Sequence, residues 1–257
     1  MFSGCKELTE IKFGNDFNTE NVTTMYRMFN NCNKLTKLDL TNISTINVNI
    51  MESMFLNCEN LKEIILSDKF DVRNVKNTNA MFCGCKNIEN INVSEWNVAS
   101  VKDMQCMFSS CEKLDNLDVS KWNTSSLERI CGSHGWEGIF YNCKNLKSID
   151  VSNWDVSNVS YMCGAFSGCT SLKELDLQNW DTSNATSIIS MFSGSGIEKL
   201  YLNNWTINKL EKIESTGNVF GGKNSSLTVY VRNDDNDAMY NWVKSLNSNV
   251  TVEKVSV

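Results

Sequence analysis

Cysteine is the residue type with the most chemical potential in this chain, which has 11 cysteines and a single histidine in 257 residues. Thiols form disulfides, bind zinc or act as nucleophiles. Seven of them recur at nearly constant spacing: Cys5, Cys32, Cys58, Cys85, Cys111, Cys143 and Cys169. This even spacing differs from the clustered spacing of zinc sites, and stacked side chains that point the same way suit a disulfide poorly. The pattern favours a buried row of free thiols.

The other four cysteines are Cys83, Cys106, Cys131 and Cys163. Cys131 belongs to the segment "LERICGSHGWEGIF", which also holds His134 and Trp136 and is about six residues longer than its counterparts. Because loops inserted into repeat proteins often carry function, Cys131, His134 and Trp136 form a candidate partner-binding loop, with a tolerated insertion as the alternative. A nucleophile or metal site at Cys131 and His134 lacks an evident third partner.

The cysteines belong to an internal repeat. Motifs of the type "MFNNC" begin at Met1, Met28, Met54, Met81, Met107, Ile139, Ala165, Met191 and Val219. A period near 26 residues is typical of a solenoid and lies within the range of leucine-rich repeats. Since one such unit cannot bury its apolar face alone, neighbouring units must stack.

Each repeat has three predicted parts. Alternating residues such as Leu38-Asp39-Leu40 predict a short strand with one buried face. A turn rich in Asn, Asp, Ser and Thr follows. Apolar residues at helical spacing, such as Val101, Met104, Met107 and Phe108, then predict a short helix. The fold class is therefore α/β, a leucine-rich-repeat solenoid of about eight units with short parallel strands and short helices.

Stacking predicts rows of equivalent side chains. One row is made of the motif phenylalanines, and another contains Trp96, Trp122, Trp154, Trp180 and Trp205, continued by Phe17, Ile43 and Phe70. We expect the solenoid to span residues 1–225 and a strand–helix–strand cap to span residues 226–257. Because Met1 coincides with the methionine of the motif, we expect the chain to begin in the middle of a repeat.

Acidic residues recur at one outward-facing strand position, namely Asp39, Asp118, Asp150 and Asp176. Stacked like charges are unfavourable unless water, cations or a basic partner relieve them. These residues are candidate ligand-binding positions on the concave face of the solenoid, and a solvated polar face is the alternative.

The net charge of −6, with acids and bases interspersed, argues against nucleic-acid binding, which requires a basic stripe. No apolar run is long enough for a transmembrane helix, so direct membrane insertion of this segment is not expected. No cofactor is predicted.

The motif of the seventh repeat, "FSGCTSLKELDLQNWDTSN" from Phe166 to Asn184, resembles the BspA-like leucine-rich repeats of bacterial surface proteins. The resemblance covers roughly residues 1–225, and Ile43 and Phe70 depart from it at the tryptophan position. It implies a secreted or cell-surface protein that acts in adhesion or recognition, and it implies no catalytic residues.

Three hypotheses follow. The leading one is a non-enzymatic adhesion or recognition module that binds a protein or glycan, such as a host-cell or matrix component. The second is a structural spacer or self-assembling segment of a larger surface protein, and a cytosolic scaffold is also compatible with free thiols. The third is an enzyme that uses Cys131 and His134, which a single histidine disfavours.

Overall fold

The computed structural model describes residues 1–14, 16–132, 137–207, 209–210, 217–221, 226–233 and 237–256. Its strands are β1 (Lys37–Asp39), β2 (Glu63–Ile65), β3 (Glu174–Asp176), β4 (Lys199–Tyr201), β5 (Thr228–Arg232) and β6 (Thr251–Val255), and helix α1 spans Ala238–Leu246. Strand β1 pairs with β2, and β3 to β6 form a second sheet in chain order; every pair is parallel. The chain is therefore a solenoid of about eight parallel turns, as its period predicts.

The predicted short helices within the repeats are wrong. These segments are successive tight turns, and among the described residues the α-helix is confined to α1. The reason lies in the residue that precedes the motif methionine. In three of the turns this residue is Arg27, Ser53 or Ala80, and each of them has a positive φ. A left-handed residue interrupts a right-handed helix. The backbone N–H groups bond instead to the next turn, as from Phe29 N to the Met54 carbonyl at 2.8 Å.

The predicted phenylalanine row is confirmed, and the predicted tryptophan row is confirmed from Phe70 to Trp180. The rings of Phe2, Phe29, Phe55, Phe82, Phe108, Phe140, Phe166, Phe192 and Phe220 stack in sequence with centroids 5.1 to 6.2 Å apart. Phe70, Trp96, Trp122, Trp154 and Trp180 form the second row, at 5.8 to 6.5 Å. The tryptophans also donate to the preceding turn, as from Trp180 Nε1 to the Val151 carbonyl at 2.9 Å. The same aromatic side chains therefore bury apolar surface and fix the register between neighbouring turns.

The row of free thiols is confirmed as well. All 11 cysteines are unpaired, and in the seven-member row the thiols beyond Cys5 are buried. Each buried thiol donates to the phenylalanine carbonyl of the preceding turn, as from Cys58 to Phe29 at 3.1 Å and from Cys169 to Phe140 at 3.1 Å. Burial raises the pKa of both thiols to about 12. Cysteine suits this position because it is small and apolar yet carries a weak donor.

Buried threonines at equivalent positions also link neighbouring turns. Thr124 Oγ1 donates to the Asp155 carbonyl at 3.1 Å and accepts from the Asp155 N–H at 2.7 Å. Thr182 makes the same pair of bonds with Thr206. The hydroxyl therefore satisfies a donor and an acceptor of the adjacent turn at once.

We predict that Thr124→Val lowers the free energy of unfolding by about 1–2 kcal/mol, because it removes the partner of both the N–H and the carbonyl of Asp155. Urea denaturation measures the loss. Ser125→Ala, at the exposed neighbouring residue, is the control and should change stability by less than about 0.5 kcal/mol. Equal midpoints for the two variants would contradict the assigned role.

After the last repeat, β5 continues the sheet and α1 packs on its buried side. Val229 and Val231 of β5 point inward, as do Met239, Trp242 and Val243 of α1. Strand β6 then pairs with β5 over five residues. Within the described part of the chain, no helix is long and apolar enough to cross a bilayer.

Candidate functional site on the outward row of the strands

One outward side-chain position recurs along the solenoid, in the strands and in the equivalent segments of the turns between them. In β1 and β3 the central leucine is buried while the flanking residues point outward, as period-two alternation requires. The outward row, as we call it, contains Asp39, Ile65, Asn92, Asp118, Asp150, Asp176, Tyr201, Tyr230 and Glu253. Strand register places Asp39 opposite Ile65, and it runs from Asp176 through Tyr201 and Tyr230 to Glu253.

The four predicted carboxylates all lie in the outward row, and each has a local hydrogen-bond donor. Asp39 accepts from the Thr41 N–H at 2.9 Å. Asp118 and Asp150 each accept from the N–H and hydroxyl of a serine two residues later. Asp176 accepts from the backbone and side chain of Gln178. These bonds close turns that end the strands, so the turn accounts for the recurring aspartate, and ligand binding by the four carboxylates stays a prediction.

Hydrogen bonding lowers the pKa of two of these carboxyl groups. The backbone N–H of Thr41 is the main cause at Asp39, and the Ser120 hydroxyl is the main cause at Asp118. Among the ion pairs of the described residues, none involves Asp39, Asp118, Asp150 or Asp176. The outward row therefore presents negative charge without a lysine or arginine partner in that part of the chain.

The neighbouring outward position of the strands differs, because its charges are paired between turns. Lys37 contacts Glu63 at 2.9 Å, and Lys199 contacts Glu174 at 3.7 Å. One residue earlier, Lys173 contacts Glu198 at 2.8 Å. Exposed pairs of this kind contribute little to stability. Their opposite charges favour one register, since a shifted turn would place like charges together.

Two tyrosines continue the outward row at its C-terminal end. Tyr201 and Tyr230 stack with centroids 4.6 Å apart and an angle of 12° between their planes. Both side chains are half-buried, and the register places the pair between the carboxylates of Asp176 and Glu253. Desolvation and then the charge of Glu174 raise the pKa of Tyr201, so its hydroxyl stays protonated at neutral pH. The pair offers flat apolar surface, hydroxyl groups and flanking negative charge.

The sequence prediction missed both tyrosines. Aligning "LYLNNW" with "LDLQNW" places Tyr201 at the aspartate position, and "TVYVR" places Tyr230 one strand further. The signal was thus present as a substitution within the repeat. Residue type alone does not reveal it, because the recurring residue at this position is aspartate.

The inserted segment borders a second feature, a polar cleft of about 680 Å³. Its lining residues are Lys102, Gln105, Ser126, Glu128, Arg129, Cys131, Asn158, Ser160 and Tyr161. Of the three candidates in the loop, Cys131 lies in this lining, while His134 and Trp136 lie outside the described residues. The structure therefore places one member of the predicted partner-binding loop, and that loop's role stays a prediction.

Cys131 is held deep in this region. It is 2% exposed, and its Sγ accepts the backbone N–H of Cys163 at 2.9 Å. Interaction with the Cys163 side chain is the main cause that raises the pKa of Cys131. A protonated thiol is a poor nucleophile, which disfavours Cys131 as the nucleophile that would begin a catalytic reaction. Within the described ranges, no three side chains of the metal-ligating types cluster.

Stacked turns that bring equivalent side chains into rows define the class of this protein, a parallel-stranded repeat solenoid. More particularly, the chain belongs to the family described as Mycoplasma protein of unknown function, DUF285, whose model matches residues 1–68, 58–132 and 134–230. No curated protein matches the chain.

Proposed function

We propose that this chain is a non-enzymatic recognition module that binds a protein or glycan through the C-terminal part of its outward row. The observation that carries the proposal is the stacked Tyr201–Tyr230 pair on the solvent side of the sheet. Core packing does not explain it, because the inward positions of the same strands are filled by Leu200 and Val229, each fully buried.

Tyrosine pairs of this kind have the properties of a contact surface. Tyrosine supplies large, rigid area at low entropic cost and is enriched at the centres of interfaces. Its hydroxyl exchanges hydrogen bonds with peptide groups or sugar hydroxyls. The carboxylates of Asp176 and Glu253 on either side add acceptors for ligand N–H and O–H groups.

The proposed setting is the cell surface or a secreted protein. The resemblance of the repeats to BspA-like surface proteins supports this placement, and adhesion to a host cell or to matrix is the corresponding role. Nucleic acid is not a proposed ligand, because the outward row is acidic.

The test compares binding of the purified chain and two variants to mammalian cells and matrix proteins. Tyr201→Ser combined with Tyr230→Ser should weaken binding about tenfold or more, as truncation of central aromatic contacts does. Thr228→Ala combined with Thr251→Ala, on the adjacent outward position of the same sheet, is the matched control and should bind normally. Equal loss in both variants, with intact folding, would overturn the assignment to the tyrosine pair.

The second candidate is a structural spacer or self-assembling segment. The regular phenylalanine row supports it, because rings such as Phe29 and Phe55, stacked at 5.5 Å, define a repeating register in which equivalent turns pack on one another. Light scattering that detects only monomers at high concentration would exclude such assembly.

A further inference from the structure

Cys131 and Cys163 occupy equivalent positions in neighbouring turns. Backbone bridges join Asp103 to Arg129 and Tyr161 to Ser187, and each of the two cysteines lies two residues after a bridge position. At the same position, the preceding turn has Gln105 and the following turn has Ile189. The two thiols therefore meet where the six-residue insertion interrupts the regular spacing.

Contacts between the two cysteines differ from those of the regular thiol row. In that row each buried Sγ donates to a backbone carbonyl, as Cys111 does to Phe82 at 3.2 Å. Cys131 Sγ instead accepts the Cys163 N–H, and Cys163 Sγ lies 3.1 Å from the Ser187 hydroxyl. Each sulfur of the pair therefore has a hydrogen-bond partner that can stabilise negative charge.

The acidities of the thiols differ accordingly. Hydrogen bonding by the Cys131 side chain is the main cause that lowers the pKa of Cys163, and the Ser187 hydroxyl adds to it. Desolvation raises the pKa of the row thiols Cys85, Cys111 and Cys143 well above the ordinary value. Thiolates react with oxidants much faster than protonated thiols do. Cys163 should therefore react with an oxidant before the thiols of the row.

The pair lies beside the cleft at the insertion, because Cys131 contributes to the lining of that cleft of about 680 Å³. Cys163 is hydrogen-bonded to Cys131 and is itself 6% exposed, against 2% for Cys131. Of the two thiols, Cys163 is therefore the more exposed.

We propose that Cys131 and Cys163 form a peroxide-sensitive dithiol site that closes reversibly into a disulfide between neighbouring turns. The Cys163 sulfur attacks a hydroperoxide oxygen, so that an S–O bond forms, the O–O bond breaks and the product alcohol or water leaves. The Cys131 sulfur then attacks the sulfur of the Cys163 sulfenic acid: the S–S bond forms, the S–O bond breaks, and the departing hydroxide takes the Cys131 thiol proton and leaves as water. Two thiols are thus oxidised by two electrons while one hydroperoxide is reduced.

The experiment treats the folded chain with hydrogen peroxide and maps the products by proteolysis and mass spectrometry. The exposed Cys5 is first replaced, as Cys5→Ser, to prevent disulfides between molecules. We expect loss of two hydrogens, located in a Cys131–Cys163 linked peptide and reversed by dithiothreitol. A product distributed over other cysteines, or no linked peptide while the protein is oxidised elsewhere, would overturn the proposal.

Two variants in the Cys5→Ser background test the reactivity of Cys163 separately from the geometry of the disulfide. With Cys131→Ser, whose hydroxyl keeps a hydrogen-bond donor beside Cys163, oxidation should stop at a sulfenic acid on Cys163 that dimedone traps. Cys83→Ser, at a half-buried cysteine outside the regular row, is the matched control and should still form the linked peptide. Dimedone labelling that avoids Cys163 in a folded Cys131→Ser protein would also overturn the proposal.

Discussion

Phe108→Ala is expected to lower the free energy of unfolding by about 3–5 kcal/mol. The Phe108 ring is fully buried and stacks on Phe82 at 5.6 Å and on Phe140 at 5.9 Å. Removing it leaves a cavity between two turns whose spacing is fixed by backbone hydrogen bonds, so the site cannot collapse fully. The loss is measured by urea denaturation followed by tryptophan fluorescence.

Phe2→Ala is the matched control, because Phe2 has the same place in the motif but is only half-buried. It should cost clearly less than Phe108→Ala. If the two substitutions lowered stability equally, continuous ring stacking would not be the main source of stability.

Gly138→Ala has the second large expected effect, a loss of about 3 kcal/mol or failure to fold at moderate temperature. A Cβ at Gly138 would lie 2.4 Å from Ala165 Cα, 2.5 Å from Ala165 N and 2.7 Å from the Cys163 carbonyl oxygen. All three are backbone atoms of the next turn, so relief requires the turns to separate. Thermal unfolding of the purified variant measures the effect.

Gly14→Ala is the control, because a Cβ there meets nothing within 4 Å and Gly14 has no left-handed φ. A slight gain in stability, below about 1 kcal/mol, is expected from the reduced entropy of the unfolded chain. A Gly138→Ala protein as stable as the Gly14→Ala protein would show that the turns around the insertion are not closely packed.

The repeat period gave the architecture and both aromatic rows correctly because one physical cause, burial between stacked turns, fixes the spacing and the residue type together. The thiol row followed for the same reason. The short helices were predicted wrongly because Val101, Met104, Met107 and Phe108 fit helical spacing equally well as corners of successive turns. The left-handed residues that decide between the two include Arg27 and Ala80, whose residue types carry no such signal.

Functional residues were harder to predict than the core. Asp118 and Asp150 were recognised as a row, but their role in closing turns depends on hydrogen bonds two residues away that composition does not reveal. To predict the tyrosine pair, the strand positions of successive repeats must be aligned. The contact between Cys131 and Cys163 becomes evident only when the turns on the two sides of the insertion are aligned, and the irregular spacing there obscures that alignment.

The most direct measurement is a binding titration of the purified chain on mammalian cells and immobilised matrix proteins, with the Tyr201→Ser/Tyr230→Ser protein measured in parallel. Our proposal predicts saturable binding by the unmodified chain and about tenfold or greater weakening in the variant. Absence of saturable binding by the unmodified chain, or identical curves for the two folded proteins, would contradict recognition through the tyrosine pair.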